Sequence, residues 1–252
     1  IVLSNPTFYG LDLLDAMGQM RFALRSIFVQ LPFADQEAQG IVETTQADHL
    51  QGDDVTKQTV LQALKEQDIV HIATHAFVDS VFDAYSGLAL ATRGPKDDGL
   101  LMGYELSDVS LSNDLIVLSA CESGAGQFVA GEGVLGLPRL FLRAGAQSIL
   151  MSLWKVHDPF PMHLMPKFYE FYIKKQKTKA EALALAKRHI LSTASTGDLN
   201  YKHPFFWATF CLYGSPGGTG KPGNPLLVWG IAGALVMAGA SFAVYKWRRP
   251  SS

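Results

Sequence analysis

Two segments are the most informative about the fold of this chain, Asp68-Ile-Val-His-Ile-Ala-Thr-His75 and Leu115-Ile-Val-Leu-Ser-Ala-Cys121. Each is a short apolar run rich in β-branched residues, which predicts a buried strand, and each ends at a residue capable of acid–base or nucleophilic chemistry. In an open parallel sheet, residues at the carboxyl ends of neighbouring strands meet in one crevice. His75 and Cys121 are therefore expected to lie together, as the base and the nucleophile of a cysteine-dependent site.

Strands and helices alternate along the chain before Gly214. The predicted strands are Ile1–Leu3, the run ending at His75, Leu88–Ala91, the run ending at Cys121, Ser148–Trp154 and Trp207–Tyr213. The predicted helices are Asp35–Thr44, Thr56–Glu66, about Val134–Ala144 and Ala182–Ile190, the last preceded by a capping box formed by Thr178 and Glu181. This alternation predicts an α/β fold with a mostly parallel sheet and helices on both faces.

Composition and charge exclude several classes of protein. The 252 residues are 48% hydrophobic and 17% charged, as in a globular protein. All 23 acidic residues but only 17 of the 21 Lys and Arg residues precede Gly214, so this part carries a formal charge of −6. Nucleic-acid binding is not expected, because phosphate contacts need a basic face.

Neither a metal nor a cofactor is expected. The two cysteines, Cys121 and Cys211, form no CxxC pair, and the histidines show no metal-ligand spacing. Gly131-Glu-Gly-Val-Leu-Gly136 fits a dinucleotide-binding fingerprint, but ten residues separate it from Cys121, the end of the preceding strand. In a dinucleotide-binding fold the first glycine follows the strand directly, so the motif does not indicate nucleotide binding.

The C-terminal part has a different organisation. Residues 214–225 contain five Gly and three Pro, which predicts a linker. Leu226 to Tyr245 is an apolar run of 20 residues, in which Ser241 is the only polar side chain apart from the terminal Tyr245. Residues 246–252 form a basic tail. Because 20 helical residues span about 30 Å, residues 226–245 are predicted to form a single transmembrane helix in the lipid bilayer.

A resemblance to a known family rests on several motifs in order. They are Val70–His75, Ser86, Asp98-Gly-Leu-Leu101, Leu118–Gly124, Gly131–Pro138, Ala144-Gly-Ala146, Leu153–Asp158 and Trp207-Ala-Thr-Phe210. Together they resemble the CHAT family of caspase-like cysteine peptidases, which is related to separases. The resemblance covers roughly residues 3 to 214, and we assign residues 1–213 to this domain.

The resemblance implies a caspase-like fold, a dyad of His75 and Cys121, and frequently an N-terminal tetratricopeptide array. An oxyanion would be held by the backbone N–H groups of Cys121 and Ala76. The family usually has Gly after the histidine, so Ala76 would be strained if the site needs a positive φ. The first residue is Ile1, and we expect a sensor region, tetratricopeptide or other, to precede it.

Two residues have alternative interpretations that the sequence leaves open. His71 lies four residues before His75 and shares its face of the strand, so it either competes for the role of base or is a buried structural histidine. Asp158 ends a stretch similar to one of separases, in which the matching carboxylate receives a P1 arginine. It either binds a basic P1 side chain or caps a helix that starts at Pro159.

The sequence thus predicts a membrane-anchored, single-pass cysteine endopeptidase that cleaves a protein substrate and is regulated by an N-terminal region. The alternative is a caspase-like scaffold for protein interaction, for which Ala76 is the reason. Lys246, Arg248 and Arg249 predict a cytoplasmic C-terminal tail. The side of the peptidase domain depends on whether an N-terminal export signal exists, and so it stays open.

Overall fold

The two quoted segments form adjacent strands in the middle of one sheet. The computed structural model describes residues 1–7, 31–79, 82–93, 97–121, 128–129, 133–134, 136–154, 159–193 and 201–218, all within the unit Ile1–Gly220. The main sheet contains β1 (Val2–Ser4), β2 (His49–Gln51), β3 (Ile69–Phe77), β4 (Gly87–Ala89), β5 (Leu100–Met102), β6 (Leu115–Cys121), β9 (Ser148–Ser152) and β10 (Phe210–Gly214). A separate hairpin pairs β7 (Phe128–Val129) with β8 (Gly133–Val134).

The strand order is β10-β9-β6-β3-β1-β2. All neighbours along this path are parallel except β10, which runs antiparallel to β9. The strands β4 and β5 extend the sheet from the end of β3 as antiparallel partners. The predicted mostly parallel sheet is confirmed.

Helices cover both faces of the sheet. They are α1 (Ala34–Thr45), α2 (Lys57–Glu66), α3 (Leu137–Ala144), α4 (Pro159–Tyr169), α5 (Lys179–Thr193) and the short α6 (Pro204–Trp207). Side chains alternate along a strand, so Val70 and Ile72 of β3 pack with α2 and α3 on one face. On the other face Leu115 and Val117 of β6 pack with α1, α4 and α5.

Two predicted boundaries were wrong for local reasons. Val134 lies in β8 rather than in a helix, and α3 begins at Leu137, where Pro138 occupies the first turn, a position that tolerates proline. Trp207 belongs to α6 rather than to a strand, because the His203 side chain accepts a hydrogen bond from the Phe205 N–H and starts a helical turn. The final strand therefore begins only at Phe210.

A buried polar group, which we call the amino-end cluster, joins the amino ends of β6 and β9 to helix α5. Lys179 is fully buried, and its Nζ donates to the backbone oxygen and to Oδ1 of Asp114 at 2.9 and 2.7 Å. The Tyr172 hydroxyl donates to Asp114 Oδ2 at 2.5 Å, and the Ser148 hydroxyl donates to the Asp114 backbone oxygen. Each charged atom of the pair thus has a close partner.

Among the described residues β10 is an edge strand of the sheet, and a lysine covers part of it. The Thr209 oxygen accepts from the Leu153 N–H across the ladder at 2.8 Å, so alternation directs the Phe210 oxygen to the outer edge. Lys187 Nζ donates to that oxygen at 2.7 Å. Burial lowers the pKa of Lys187, and the neighbouring Cys211 opposes this shift.

The start of the predicted linker packs against the domain. The Ser215 N–H donates to the Gln147 oxygen at 2.8 Å, and the Pro216 oxygen accepts from the Ala180 N–H at 3.4 Å. Among the described residues no helix has the length and apolar character needed to cross a bilayer. The predicted transmembrane segment, residues 226–245, and the basic tail lie outside the described residues.

Candidate active site

The register between β3 and β6 brings His75 and Cys121 together. These strands pair in parallel over seven positions, from Ile69 opposite Leu115 to His75 opposite Cys121. Neighbouring strands lie about 4.8 Å apart, so the two residues are neighbours at the carboxyl end of the sheet. The His75 side chain is half-buried.

Ala76 continues strand β3 with ordinary extended geometry. It pairs with Leu88 of β4, and its φ is not positive, since among the described residues only Asn5, Gln46 and Gln176 have a positive φ without being glycine. The methyl group at this position therefore introduces no backbone strain. Whether its N–H serves an oxyanion stays a prediction.

His71, the other histidine on β3, is buried within the protein. Its side chain is 1% exposed, and its Nδ1 lies 3.3 Å from the Tyr169 hydroxyl of α4. Its Nε2 lies 3.1 Å from Oε1 of Glu37 in α1. The burial and the two partners favour the structural interpretation of His71.

Glu37 extends this contact to the second strand of the site. Its Oε2 accepts a hydrogen bond from the Ser119 hydroxyl of β6 at 3.0 Å. We call Glu37, His71, Ser119 and Tyr169 the carboxyl-end cluster. Burial, and secondarily the charge of Glu37, raise the pKa of Tyr169 well above its usual range, so its hydroxyl stays protonated and can donate.

The sequence analysis missed Glu37, although a signal for it exists. Glu37 lies on the same helical stripe as Ala34, Ala38 and Ile41, which are all buried. A carboxylate within an apolar stripe is expensive to bury, so it must meet a partner inside the protein. Ser119 within the apolar run of β6 was the corresponding signal for that partner.

A second polar group lies at the first turn of α1, close to the same strand ends. Asp35 accepts a hydrogen bond from the Asn5 side-chain amide at 2.9 Å. Ser4, the last residue of β1, has its hydroxyl 2.8 Å from Nε2 of His49. Burial lowers the pKa of His49, and the charge of Asp35 only partly offsets this. The first turn of α1 thus holds β1 as well as β3 and β6.

Several motifs that carried the resemblance serve the fold. The Ser86 hydroxyl is buried and accepts from the Asp79 N–H at 3.0 Å, which fixes the connection after β3. Asp98 accepts from the Leu100 N–H at 3.1 Å and pairs with Lys57 at 3.2 Å. Gly145 has φ +118°, and a Cβ there would collide with the Leu111 backbone.

The region predicted to bind P1 is described only up to Trp154. The Trp154 indole stacks on Phe205 of α6 at 6.3 Å and donates to the Phe205 oxygen at 3.0 Å, just beyond β9. Asp158 lies outside the described residues, and α4 begins at the next residue, Pro159. Both interpretations of Asp158 are therefore still open.

The profile of the CHAT domain family matches residues 1–215. The chain belongs to the CHAT domain family. This CHAT domain is 29% identical over 223 residues to tetratricopeptide repeat protein 28 of Homo sapiens, and 29% identical to the protein of that name in Mus musculus. The alignment covers 76% of this chain but only 9% of each relative, so the chain spans a small fraction of their length.

Solved structures share the fold of this CHAT domain. The Arg-specific cysteine proteinase gingipain R superposes with a TM-score of 0.51 at 12% identity, over 86% of this chain and 46% of that one. The separase of the Saccharomyces cerevisiae separase–securin complex has a TM-score of 0.50 at 12% identity, over 73% of this chain and 11% of that one. At such identities the likeness shows the caspase-like fold alone.

Proposed function

We propose that this chain is a cysteine endopeptidase domain that cleaves a protein substrate with a His75–Cys121 dyad. The register of His75 opposite Cys121 at the carboxyl ends of two central parallel strands carries the proposal. A thiol is weakly ionised at neutral pH, so a neighbouring imidazole is needed to take its proton before the thiolate attacks a scissile carbonyl. The resulting oxyanion would be held by backbone N–H groups of Cys121 and Ala76.

The test compares two histidines on one strand. Cys121→Ala and His75→Ala should each abolish proteolysis while the protein stays folded, because losing a nucleophile or its base usually costs several orders of magnitude. His71→Ala should retain measurable activity. Failure of the activated full-length protein to react with any active-site thiol probe would overturn the peptidase proposal.

A non-catalytic scaffold is the second candidate, and Ala76 is the observation that favours it. The family usually has glycine at this position, and here the residue is paired within the ladder between β3 and β4. If the Ala76 N–H is not available to an oxyanion, the fold would still present its surface to a protein partner. A thiol-reactive peptide inhibitor separates the candidates: a peptidase should form a covalent adduct at Cys121 that His75→Ala slows, whereas a scaffold should form none.

We further propose that Asp158 receives a basic P1 side chain. The proposal is supported by the resemblance of Leu153–Asp158 to separases and by the Arg specificity in the name of gingipain R, which shares the fold. A desolvated carboxylate paired with arginine would be worth about 2–5 kcal/mol against a neutral side chain. In a positional-scanning peptide library, Arg or Lys should be preferred at P1, and Asp158→Asn should remove the preference while Asp54→Asn keeps it. An unchanged preference in Asp158→Asn would leave Asp158 as a helix cap.

We also propose that residues 226–245 anchor the domain in a bilayer. A further proposal is that an N-terminal sensor region controls the peptidase activity. The 20-residue apolar run with its basic flank supports the anchor, and the tetratricopeptide repeat relatives support a repeat array as sensor. An impermeant thiol reagent applied to cells that express a Thr219→Cys variant of the full-length protein tests the orientation, with labelling of residue 219 followed by peptide mass spectrometry. Labelling of intact cells would support an outward domain, and labelling only after lysis would place the domain in the cytosol.

A further inference from the structure

Glu37 is a carboxylate inside the apolar interface between α1 and the sheet. Its side chain is 4% exposed, and its helical neighbours Ala34, Ala38 and Ile41 are buried beside it. Burying an ionised carboxylate costs several kcal/mol unless partners replace the lost water. A buried glutamate at this position therefore needs an explanation in terms of what it contacts.

Glu37 contacts both strands of the proposed dyad. One oxygen lies 3.1 Å from Nε2 of His71, four residues before His75 on β3. The other accepts from the Ser119 hydroxyl at 3.0 Å, two residues before Cys121 on β6. These even spacings put the contacted positions on the same strand faces as the positions of the dyad. One side chain thus links the two strands, four residues before the last register pair on β3 and two residues before it on β6.

The hydrogen bonding around the Glu37 carboxylate is incomplete. Although Glu37 Oε1 and His71 Nε2 are in ion-pair range, they do not align as a hydrogen bond, and neither atom has another hydrogen-bond partner among the described residues. The Tyr169 hydroxyl holds His71 from the opposite side at 3.3 Å. A purely stabilising cluster would be expected to satisfy its buried charges, as the amino-end cluster does.

We propose that Glu37 is a positioning residue that fixes the relative placement of His75 and Cys121 by tying β3 to β6. This inference rests on the peptidase function proposed above. His75 and Cys121 form the last register pair of the ladder between β3 and β6, so within that ladder only the preceding pairs restrain their relative placement. A displacement of about 1 Å in a reacting pair can cost about 100-fold in rate, so a tie below the last pair would matter for chemistry.

The experiment measures alkylation of the two cysteines of the whole chain by iodoacetamide between pH 5 and 9, with each cysteine followed by peptide mass spectrometry. Cys121 reports on the dyad, and Cys211 on β10 is an internal reference. Glu37→Gln should slow alkylation of Cys121 about 10- to 100-fold near pH 7 and move its inflection toward that of an ordinary thiol, about 8.5. Cys211 should react as before. Glu43→Gln makes the same change at an exposed site of α1 and should behave as the wild type.

The readout separates positioning from stability. Simple destabilisation would accelerate alkylation of both cysteines, because unfolding exposes both, whereas lost positioning slows Cys121 alone. If Glu37→Gln does not fold, Ser119→Ala removes only the hydroxyl contact and should slow Cys121 several-fold. If the wild-type Cys121 shows fast alkylation with a lowered inflection that depends on His75, and Glu37→Gln and Ser119→Ala leave the rate and the inflection unchanged, the positioning role alone is overturned. A wild-type Cys121 that titrates as an ordinary thiol, unaffected by His75→Ala, would overturn both proposals.

Discussion

The two ends of the central sheet are held by buried charges in different ways. At the amino end, Lys179 and Asp114 form a close pair whose charged atoms are all hydrogen-bonded, and Asp114 remains 28% exposed to water. At the carboxyl end, Glu37 and His71 are almost fully buried, and the atoms that face each other lack aligned hydrogen bonds.

The two clusters are therefore suited to different roles. An ion pair that is fully hydrogen-bonded and partly exposed to water, such as Lys179 and Asp114, holds its elements in one fixed geometry and mainly contributes stability. A nearly fully buried pair whose facing atoms are not hydrogen-bonded, beside the proposed dyad, depends instead on the relative positions of the two strands that carry its partners.

Removing the amino-end lysine should cost stability but not chemistry. Lys179→Met keeps the apolar stem and leaves Asp114 without its cation, and we expect a loss of about 2–4 kcal/mol in the free energy of unfolding, reduced from a fully buried case by the exposure of Asp114. Urea denaturation measures the loss, and Lys177→Met at an exposed position is the control. A lower rate of Cys121 alkylation in the folded Lys179→Met protein would contradict the division between the two ends.

The carboxyl-end pair should show energetic coupling. Glu37→Gln and His71→Asn each leave a partner buried without its counterpart, at a cost of about 1–3 kcal/mol. The double variant should cost less than the sum of the two by about 1 kcal/mol, because neither group is then left alone. A double-mutant cycle by urea denaturation measures this, and additive effects would show that the 3.1 Å contact contributes nothing.

The smallest expected effect is a pH dependence at His49 of β2, whose ring contacts Ser4 and lies within the influence of the Asp35 charge at the first turn of α1. Burial lowers the pKa of His49 from 6.5, so the native state favours the neutral ring. Its contribution to stability is therefore complete above pH 6.5, the unfolded value, and is lost as the pH falls below it. His49→Asn should flatten the fall in unfolding free energy between pH 6.5 and 5 by less than about 1 kcal/mol, because the side chain is partly exposed. A His189→Asn variant controls for loss of a histidine elsewhere, and an equal flattening there would contradict the assignment to His49.

The sequence predicted what depends on local pattern. The strands that end at His75 and Cys121, and the capping box of Thr178 and Glu181, are confirmed because period, β-branching and cap spacing are local properties. Trp207 was misassigned because the capping nitrogen of His203 overrides the strand propensity of an aromatic run. Glu37 escaped the sequence analysis because its partners lie 34 and 82 positions away, and no local pattern encodes such a contact.

Lys187, which covers part of β10, also affects whether neighbouring copies of this domain associate through that strand. An open edge of a sheet offers free backbone groups to any strand that approaches it, which leads to lateral growth and aggregation. A strand of another copy would have to displace the Lys187 ammonium from the Phe210 oxygen before it could pair with β10. Crowding many copies on a two-dimensional surface therefore need not make them polymerise through this edge.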